Sequence, residues 1–337
     1  MNTTVALASK SGLQQGGTGA PLKPGTSRFK MEGLRDYGIV FATLVLFILL
    51  ALSSDVFLTR LNLGNVIDQW APIGLMACAG TLVILVGGFD LSVGSIFAVS
   101  AVSAALVANS HGPATGIAVG IAAGGTLGLF NGVLTTTFRI NHFVATIASA
   151  IVFKGFATVL SGGFLVAVSD ATFQRLGTDK LLGFNYSVYI LIAFALICGF
   201  ILNWMTIGRH IRATGANIEA ALLSGISTNR VIIFTYVLSG LAAGLAAALV
   251  ASRTGAAQPN MNAGIESSVW AAILVGGTSL VGGRGAIWRT VLGVLLLAMI
   301  GNGFNLLGLD TLYQQILTGV IILLAVGLDA LARRRSR

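Results

Sequence analysis

Arg209-His-Ile-Arg-Ala-Thr-Gly-Ala-Asn-Ile-Glu-Ala-Ala-Leu-Leu-Ser-Gly-Ile-Ser-Thr-Asn-Arg230 is the longest mid-chain break in an otherwise apolar sequence, and it lies between two segments each long enough to cross a bilayer. Within it Asn217 suits an N-cap, and Glu219 falls at the positive end of a helix dipole. Ala220, Ala221, Leu222 and Leu223 continue that helix. Ser224-Gly225 ends it, because glycine readily takes the left-handed conformation found just past a helix. The stretch predicts a short helix with a small-residue surface, held at a membrane face. Two readings fit it: an ordinary cytoplasmic loop that is helical, or an element that seats in a groove on a partner protein.

Composition settles the class around it. Only 9% of the 337 residues are charged, 55% are hydrophobic, 44 are glycine, and the mean hydropathy is +0.90. A soluble domain carries about a quarter charged residues, so this chain has a bilayer as its solvent, and its glycines fit close helix packing there. The net charge of +9 does not point to nucleic acid, since the basic residues lie in loops and tails. Cys78 and Cys198 fall in apolar segments without a CxxC spacing, and His111, His142 and His210 are scattered at span ends. No metal site is read from them.

About 20 apolar residues are needed to cross the hydrocarbon core. That requirement predicts ten spans, 38–57, 63–86, 91–109, 115–137, 143–165, 187–206, 229–252, 265–282, 286–304 and 311–331. The expected fold is therefore all-α, a polytopic helical membrane bundle. With the N-terminus inside, fifteen of the 20 Lys and Arg residues fall on the cytoplasmic side, and Arg60, Arg175, Lys180 and Arg253 fall outside. Lys154 lies within a span. Such a bias predicts both termini in the cytoplasm and places the 209–230 stretch there too. Residues 1–36 read as a flexible, polar cytoplasmic tail rather than a cleaved signal peptide, 37–331 as the transmembrane domain, and 332–337 as a basic cytoplasmic end.

Polar features interrupt the apolar runs. Asp68 lies early in the second span, near enough to the outer surface to be hydrated. Gly87-Gly-Phe-Asp-Leu-Ser-Val-Gly-Ser95 joins the second and third spans and carries Asp90, Ser92 and Gly94. Asn131 sits inside the fourth span, and Glu266 opens the eighth, ahead of Gly276-Gly-Thr-Ser-Leu-Val-Gly-Gly-Arg-Gly285. The two glycine-rich joins share Leu-Val-Gly-Gly, at 85–88 and 274–277, which fits either an internal duplication or coincidence in a small alphabet. Such joins serve either as tight turns or as the lining of a transport pathway. A carboxylate beside membrane-depth glycines, as at Asp90, favours function. Lys154 can snorkel along its span or pair with an acid on a neighbouring helix.

No G-x-x-x-x-G-K-[ST] occurs, and none of the lysines follows a glycine, so no P-loop is read from the sequence. Leu160-Ser-Gly-Gly-Phe164 looks like an ATPase signature but lies at the end of an apolar span, where it reads as a helix-to-loop transition.

Taken together, the motifs resemble those of a known family. Gly87-Gly-Phe-Asp-Leu-Ser-Val-Gly-Ser95 is similar to the GGIDLSVGS motif of permease subunits of ribose-type ABC sugar importers, within the branched-chain amino-acid/ribose permease superfamily, with Phe89 in place of isoleucine. Thr214, Gly215, Asn217, Glu219, Ala220, Ala221, Ser224 and Gly225 fall in a stretch, 209–228, that resembles its ATPase-coupling region. Leu274-Val-Gly-Gly-Thr-Ser-Leu280 with Gly282 and Gly283 resembles its third signature, so that Gly276, Gly277, Thr278 and Ser279 join Gly87, Gly88, Asp90, Ser92, Gly94, Asn131 and Glu266 as candidate pathway or structural residues. The resemblance implies a bacterial inner-membrane permease that carries no catalytic residues and binds no cofactor of its own. It implies a second permease subunit in a homo- or heterodimer, a cytoplasmic ABC ATPase that uses ATP and Mg, and a periplasmic sugar-binding protein. The preceding Gly-Gly-x-Asp favours a monosaccharide such as ribose, xylose or galactose over branched-chain amino acids, with a permease for branched-chain amino acids or nucleosides as the alternative. A stand-alone secondary transporter or channel is the competing class, with Asp90, Lys154 and Glu266 as its ionisable candidates.

Overall fold

The structure is a computed structural model that describes residues 26–261, 263–310 and 312–334. The expected tail over 1–25 and residues 335–337 of the expected basic end lie outside the described residues. The helices are α1 (Thr26–Ser53), α2 (Arg60–Leu85), α3 (Val93–His111), α4 (Pro113–Thr136), α5 (His142–Ser161), the single-turn α6 (Arg175–Thr178), α7 (Tyr186–Trp204), α8 (Thr206–Ala216), α9 (Ile218–Leu223), α10 (Thr228–Thr254), α11 (Ile265–Val275), α12 (Ile287–Leu306) and α13 (Leu312–Arg334). Two pairs of two-residue strands trim the loops: β1 (Val166–Ala167) lies antiparallel to β4 (Ala256–Ala257), and β2 (Lys180–Leu181) to β3 (Phe184–Asn185).

Among the described residues, seven helices, α2, α3, α4, α5, α7, α10 and α12, are long and apolar enough to cross a membrane. The other three expected spans coincide with shorter apolar helices: Tyr37–Ser53 within α1, α11, and Leu312–Leu324 within α13. Helix α1 opens at Thr26, inside the stretch read as a flexible tail. The largest departure is the eighth expected span, 265–282. Helix α11 has only 11 residues, about 16 Å at 1.5 Å per residue, roughly half the hydrocarbon core. The Gly276-Gly277 pair stops it: the Gly277 N–H donates to the Leu274 carbonyl at 2.8 Å and the Thr278 N–H to Ile273 at 3.3 Å, the closing pattern of a left-handed glycine cap.

Helices α2 and α10 run through the centre. From Ala71 to Leu85, α2 is almost wholly buried. Helix α10 lies backbone to backbone on α4: a methyl group at Gly124 would strike the Gly240 carbonyl, one at Gly128 the Tyr236 carbonyl, and one at Gly244 the Gly120 carbonyl. Lipid tails are as apolar as leucine and give helices no hydrophobic reason to associate, so dispersion over such close approaches holds the pair. Large apolar side chains instead point outward from α1, α5 and α7, Phe41, Ile151 and Phe200 among them, as a bilayer solvent permits.

Candidate functional site

The stretch between α7 and α10 folds as two helices joined at Asn217. The Asn217 side chain caps α9, accepting from the Ala220 N–H at 3.0 Å, and Glu219 lies in the first turn. Gly225, at φ +80°, ends it, with its N–H on the Leu222 carbonyl at 3.0 Å and the Ile226 N–H on Ala221 at 3.0 Å. The expected small-residue surface is present at Ala220 and Ser224 but not at Ala221. Ala221 is only 4% exposed and turns into the chain, while the outward face carries Ile218, Leu222 and Leu223, the last 90% exposed. A six-residue helix turns one side inward to bury what it can, and Ala221 occupies that side. Asn217, Glu219, Ala220, Ser224 and Gly225 are exposed, Gly215 is half-buried and Thr214 is buried.

Three glycine-bearing motifs, far apart in sequence, meet at α8. A methyl group on Gly215 would strike the Leu85 carbonyl and come within 2.8 Å of the Gly283 nitrogen. The Gly283 N–H donates to that same Leu85 carbonyl at 2.9 Å. A methyl group on Gly282 would meet the Gly215 carbonyl at 2.9 Å and the Gly87 nitrogen at 3.0 Å. The last turn of α2, the last turn of α8 and the loop before α12 therefore touch through bare backbone, with no side chain between them to yield. The loop itself is closed by the Ser279 N–H on the Arg284 carbonyl at 2.9 Å, and Thr278 and Ser279 are buried in it. Gly276 packs α11 against α12, where an added methyl group would meet the Arg289 carbonyl at 2.7 Å.

The α2–α3 join is clamped from several sides. Asp90, 2% exposed, accepts from the Ser92 N–H at 3.0 Å, the Ser92 hydroxyl at 2.6 Å and the Ser239 hydroxyl of α10 at 3.1 Å. Ser92 in turn accepts from the Asn131 amide of α4 at 2.7 Å. The Phe89 carbonyl accepts from the Tyr236 hydroxyl at 3.1 Å. The Phe89 ring stacks on Trp270 of α11, centroids 3.6 Å apart, which gives the Phe-for-Ile departure a partner. Asp90 and Asn131 thus sit in one hydrogen-bonded knot joining the α2–α3 join, α4 and α10.

Glu266 lies in the first turn of α11, where a methyl group on Gly94 would strike its carboxylate. Glu266 and Lys154 line the same cavity of about 230 Å³, with Gly94 and Ser95 of α3 on its wall. Asp68, expected to be hydrated, is instead 8% exposed: Arg253 lies 3.5 Å from its carboxylate and the Ser187 hydroxyl donates to it. Helix α7 closes over one side of this end of α2, leaving the carboxylate only a narrow border on an open cleft. The sequence reading passed over a row of carboxamides on α2, Asn62, Asn65 and Gln69, that border open cavities. Their spacing of three and four residues in an apolar span was the available signal.

The sequence family described as "Branched-chain amino acid transport system / permease component" matches residues 62–326. The chain is 38% identical over 301 residues to the L-arabinose ABC transporter permease protein of Azospirillum brasilense, covering 89% of each chain. It is 37% identical over 306 residues to the ribose import permease protein of Bacillus subtilis, covering 90% of this chain and 95% of that one. To the ribose import permease protein of Escherichia coli it is 36% identical over 310 residues, covering 90% and 97%. No solved structure matches the chain significantly.

Proposed function

This chain belongs to the branched-chain amino acid transport system / permease component family, and from that premise we propose that it is the membrane-spanning subunit of an ATP-driven monosaccharide importer. It is a multi-pass inner-membrane protein, and its substrate belongs with the pentoses and hexoses, as the ribose and arabinose permeases among its relatives suggest. A cytoplasmic ABC ATPase hydrolyses ATP for it, a periplasmic binding protein delivers the sugar, and a second permease subunit, identical or related, completes the pathway. Both termini and α8–α9 face the cytoplasm.

The carrying observation is the backbone contact of Gly215 with Leu85 and Gly282-Gly283. An ATPase that moves α9 moves α8, and α8 bears without slack on the C-terminal end of α2 and on the loop into α12. The apolar outer face of α9, Ile218, Leu222 and Leu223, offers the ATPase its grip. The test is uptake of labelled D-ribose and L-arabinose into proteoliposomes holding the permease, the ATPase and the binding protein. Uptake should require ATP inside and survive collapse of the proton gradient. Uptake without ATP that follows the proton gradient would assign a stand-alone secondary transporter instead.

A further inference from the structure

Helix α2 is apolar along most of its length, yet its first turns carry Asn62, Asn65 and Gln69 on one face. Polar side chains in a span are costly where lipid surrounds them and mark cavities or pathways. Here they border a cleft of about 1160 Å³, with Asn65, Gln69 and Trp70 of α2 on one wall, Gln314 of α13 on another and Ser267 and Ser268 of the first turn of α11 between them. A second cavity of about 260 Å³ shares Asn65, Gln69, Trp70 and Gln314 and extends to Asn302 and Asn305 of α12. Asn62 and Asn302 exchange two hydrogen bonds, at 3.1 and 2.8 Å, across its end. Gln69 stands sixteen residues before Leu85, about 24 Å along the helix, so the cleft lies at the far end of the bundle from the Gly215 contact.

The charge pattern of the cleft selects its ligand. Among the described residues lining the two cavities, Asp68 and Arg253 are the charged ones, and they face each other at 3.5 Å. A free amino acid brings a carboxylate and an ammonium, each of which needs its own fixed counter-charge when desolvated. The lining offers carboxamides instead, which are neutral and carry both donors and an acceptor on one planar group. A sugar hydroxyl is also neutral and both donates and accepts, so a row of amides can pair with a row of hydroxyls whichever way each is turned. Trp70 adds a broad apolar surface with a polar edge, suited to the C–H face of a sugar ring.

We infer that this cleft is a monosaccharide-binding vestibule, in which Asn65, Gln69 and Gln314 hold the hydroxyls of a neutral sugar beside Trp70 before it passes the first turn of α11. The inference rests on the sugar-importer reading above and locates its substrate. In the reconstituted importer, Gln69→Leu and Gln314→Leu remove donors and acceptors at nearly constant volume. Uptake of labelled L-arabinose or D-ribose should fall at least tenfold, while ATP hydrolysis stimulated by loaded binding protein persists and Gln69→Asn restores part of the uptake. Uptake within twofold of wild type would overturn the vestibule. Equal losses of uptake and of stimulated ATP hydrolysis would overturn it as well, marking the amides as structural. Because Cys78 and Cys198 are buried, Gln69→Cys gives an independent readout: a membrane-impermeant maleimide should label it, and excess sugar should slow labelling several-fold. Labelling indifferent to sugar counts against the site. A wild-type protein that moves labelled leucine and neither sugar would overturn the sugar-importer reading itself, whereas wild-type sugar uptake with indifferent variants overturns the vestibule alone.

Discussion

At Gly215 there is no room for a methyl group, and the atoms in the way are backbone, which cannot rotate aside. Gly215→Ala must push α8 off Leu85 or off the 282–283 loop, at an overpacking cost of about 1–3 kcal/mol. The expected result is a lowered melting temperature in detergent, together with loss of ATP hydrolysis stimulated by the binding protein. Gly225, with open space where a side chain would stand, is the control for crowding, although its φ of +80° still disfavours a larger residue. Asp90 makes a different prediction. Asp90→Ala leaves Ser92 and Ser239 without their acceptor in a buried site, at about 1–3 kcal/mol for each orphaned group. Asp90→Asn keeps one carbonyl oxygen for Ser92. Uptake and thermal stability should therefore fall in the alanine variant and largely survive in the asparagine variant. Equal losses in both would assign the charge itself a role.

At the scale of elements, α2, α9 and α11 end alike. Each closes with one N–H reaching back three residues and the next reaching back five: Gly87 to Ile84 and Gly88 to Val83, Gly225 to Leu222 and Ile226 to Ala221, Gly277 to Leu274 and Thr278 to Ile273. In α2 and α11 the left-handed residue is the first glycine of one pair, Gly87, and the second of the other, Gly277. The shared Leu-Val-Gly-Gly is thus used one residue out of register in the two places. Helix α9 carries the prediction at this scale. Since Ala221 is buried, Ala221→Trp should destabilise the permease rather than selectively loosen its ATPase. Leu223→Asp, at an exposed position, should leave the melting temperature within a few degrees of wild type while the ATPase no longer co-purifies. Full co-purification of the Leu223→Asp chain would move the joint away from α9.

For the whole molecule, the two regions proposed to act in transport are separated along the central α2. One gathers Leu85, Gly215 and Gly282-Gly283; the other opens the amide-lined cleft. An importer needs such a separation, because sugar must be accepted on one side while ATP is hydrolysed on the other. The arrangement predicts that a reporter active only in the cytoplasm works when inserted after Gly225 and fails when inserted at Leu182, in the loop between β2 and β3. Both positions are exposed, so neither insertion should disturb the packed interior. Activity at Leu182 and silence at Gly225 would invert the molecule and end the coupling role of α9.

The sequence by itself determined the all-helical membrane class, because bilayer-length apolar runs and scarce charge admit no other solvent. It also determined the α9 helix and its caps, since capping rests on contacts within a few residues of Asn217 and Gly225. Three things it left open, each for the same reason. The convergence of Gly87, Gly215 and Gly282-Gly283 joins backbone separated by more than sixty residues at each step, and no local propensity encodes which helix meets which. The inward turn of Ala221 and the burial of Asp68 depend on neighbouring elements, which a linear reading cannot see. The amide-lined cleft is made of side chains from α2, α11, α12 and α13 that share a surface only once the bundle has closed; in the sequence they are isolated polar residues, and tertiary packing alone gives them a common surface.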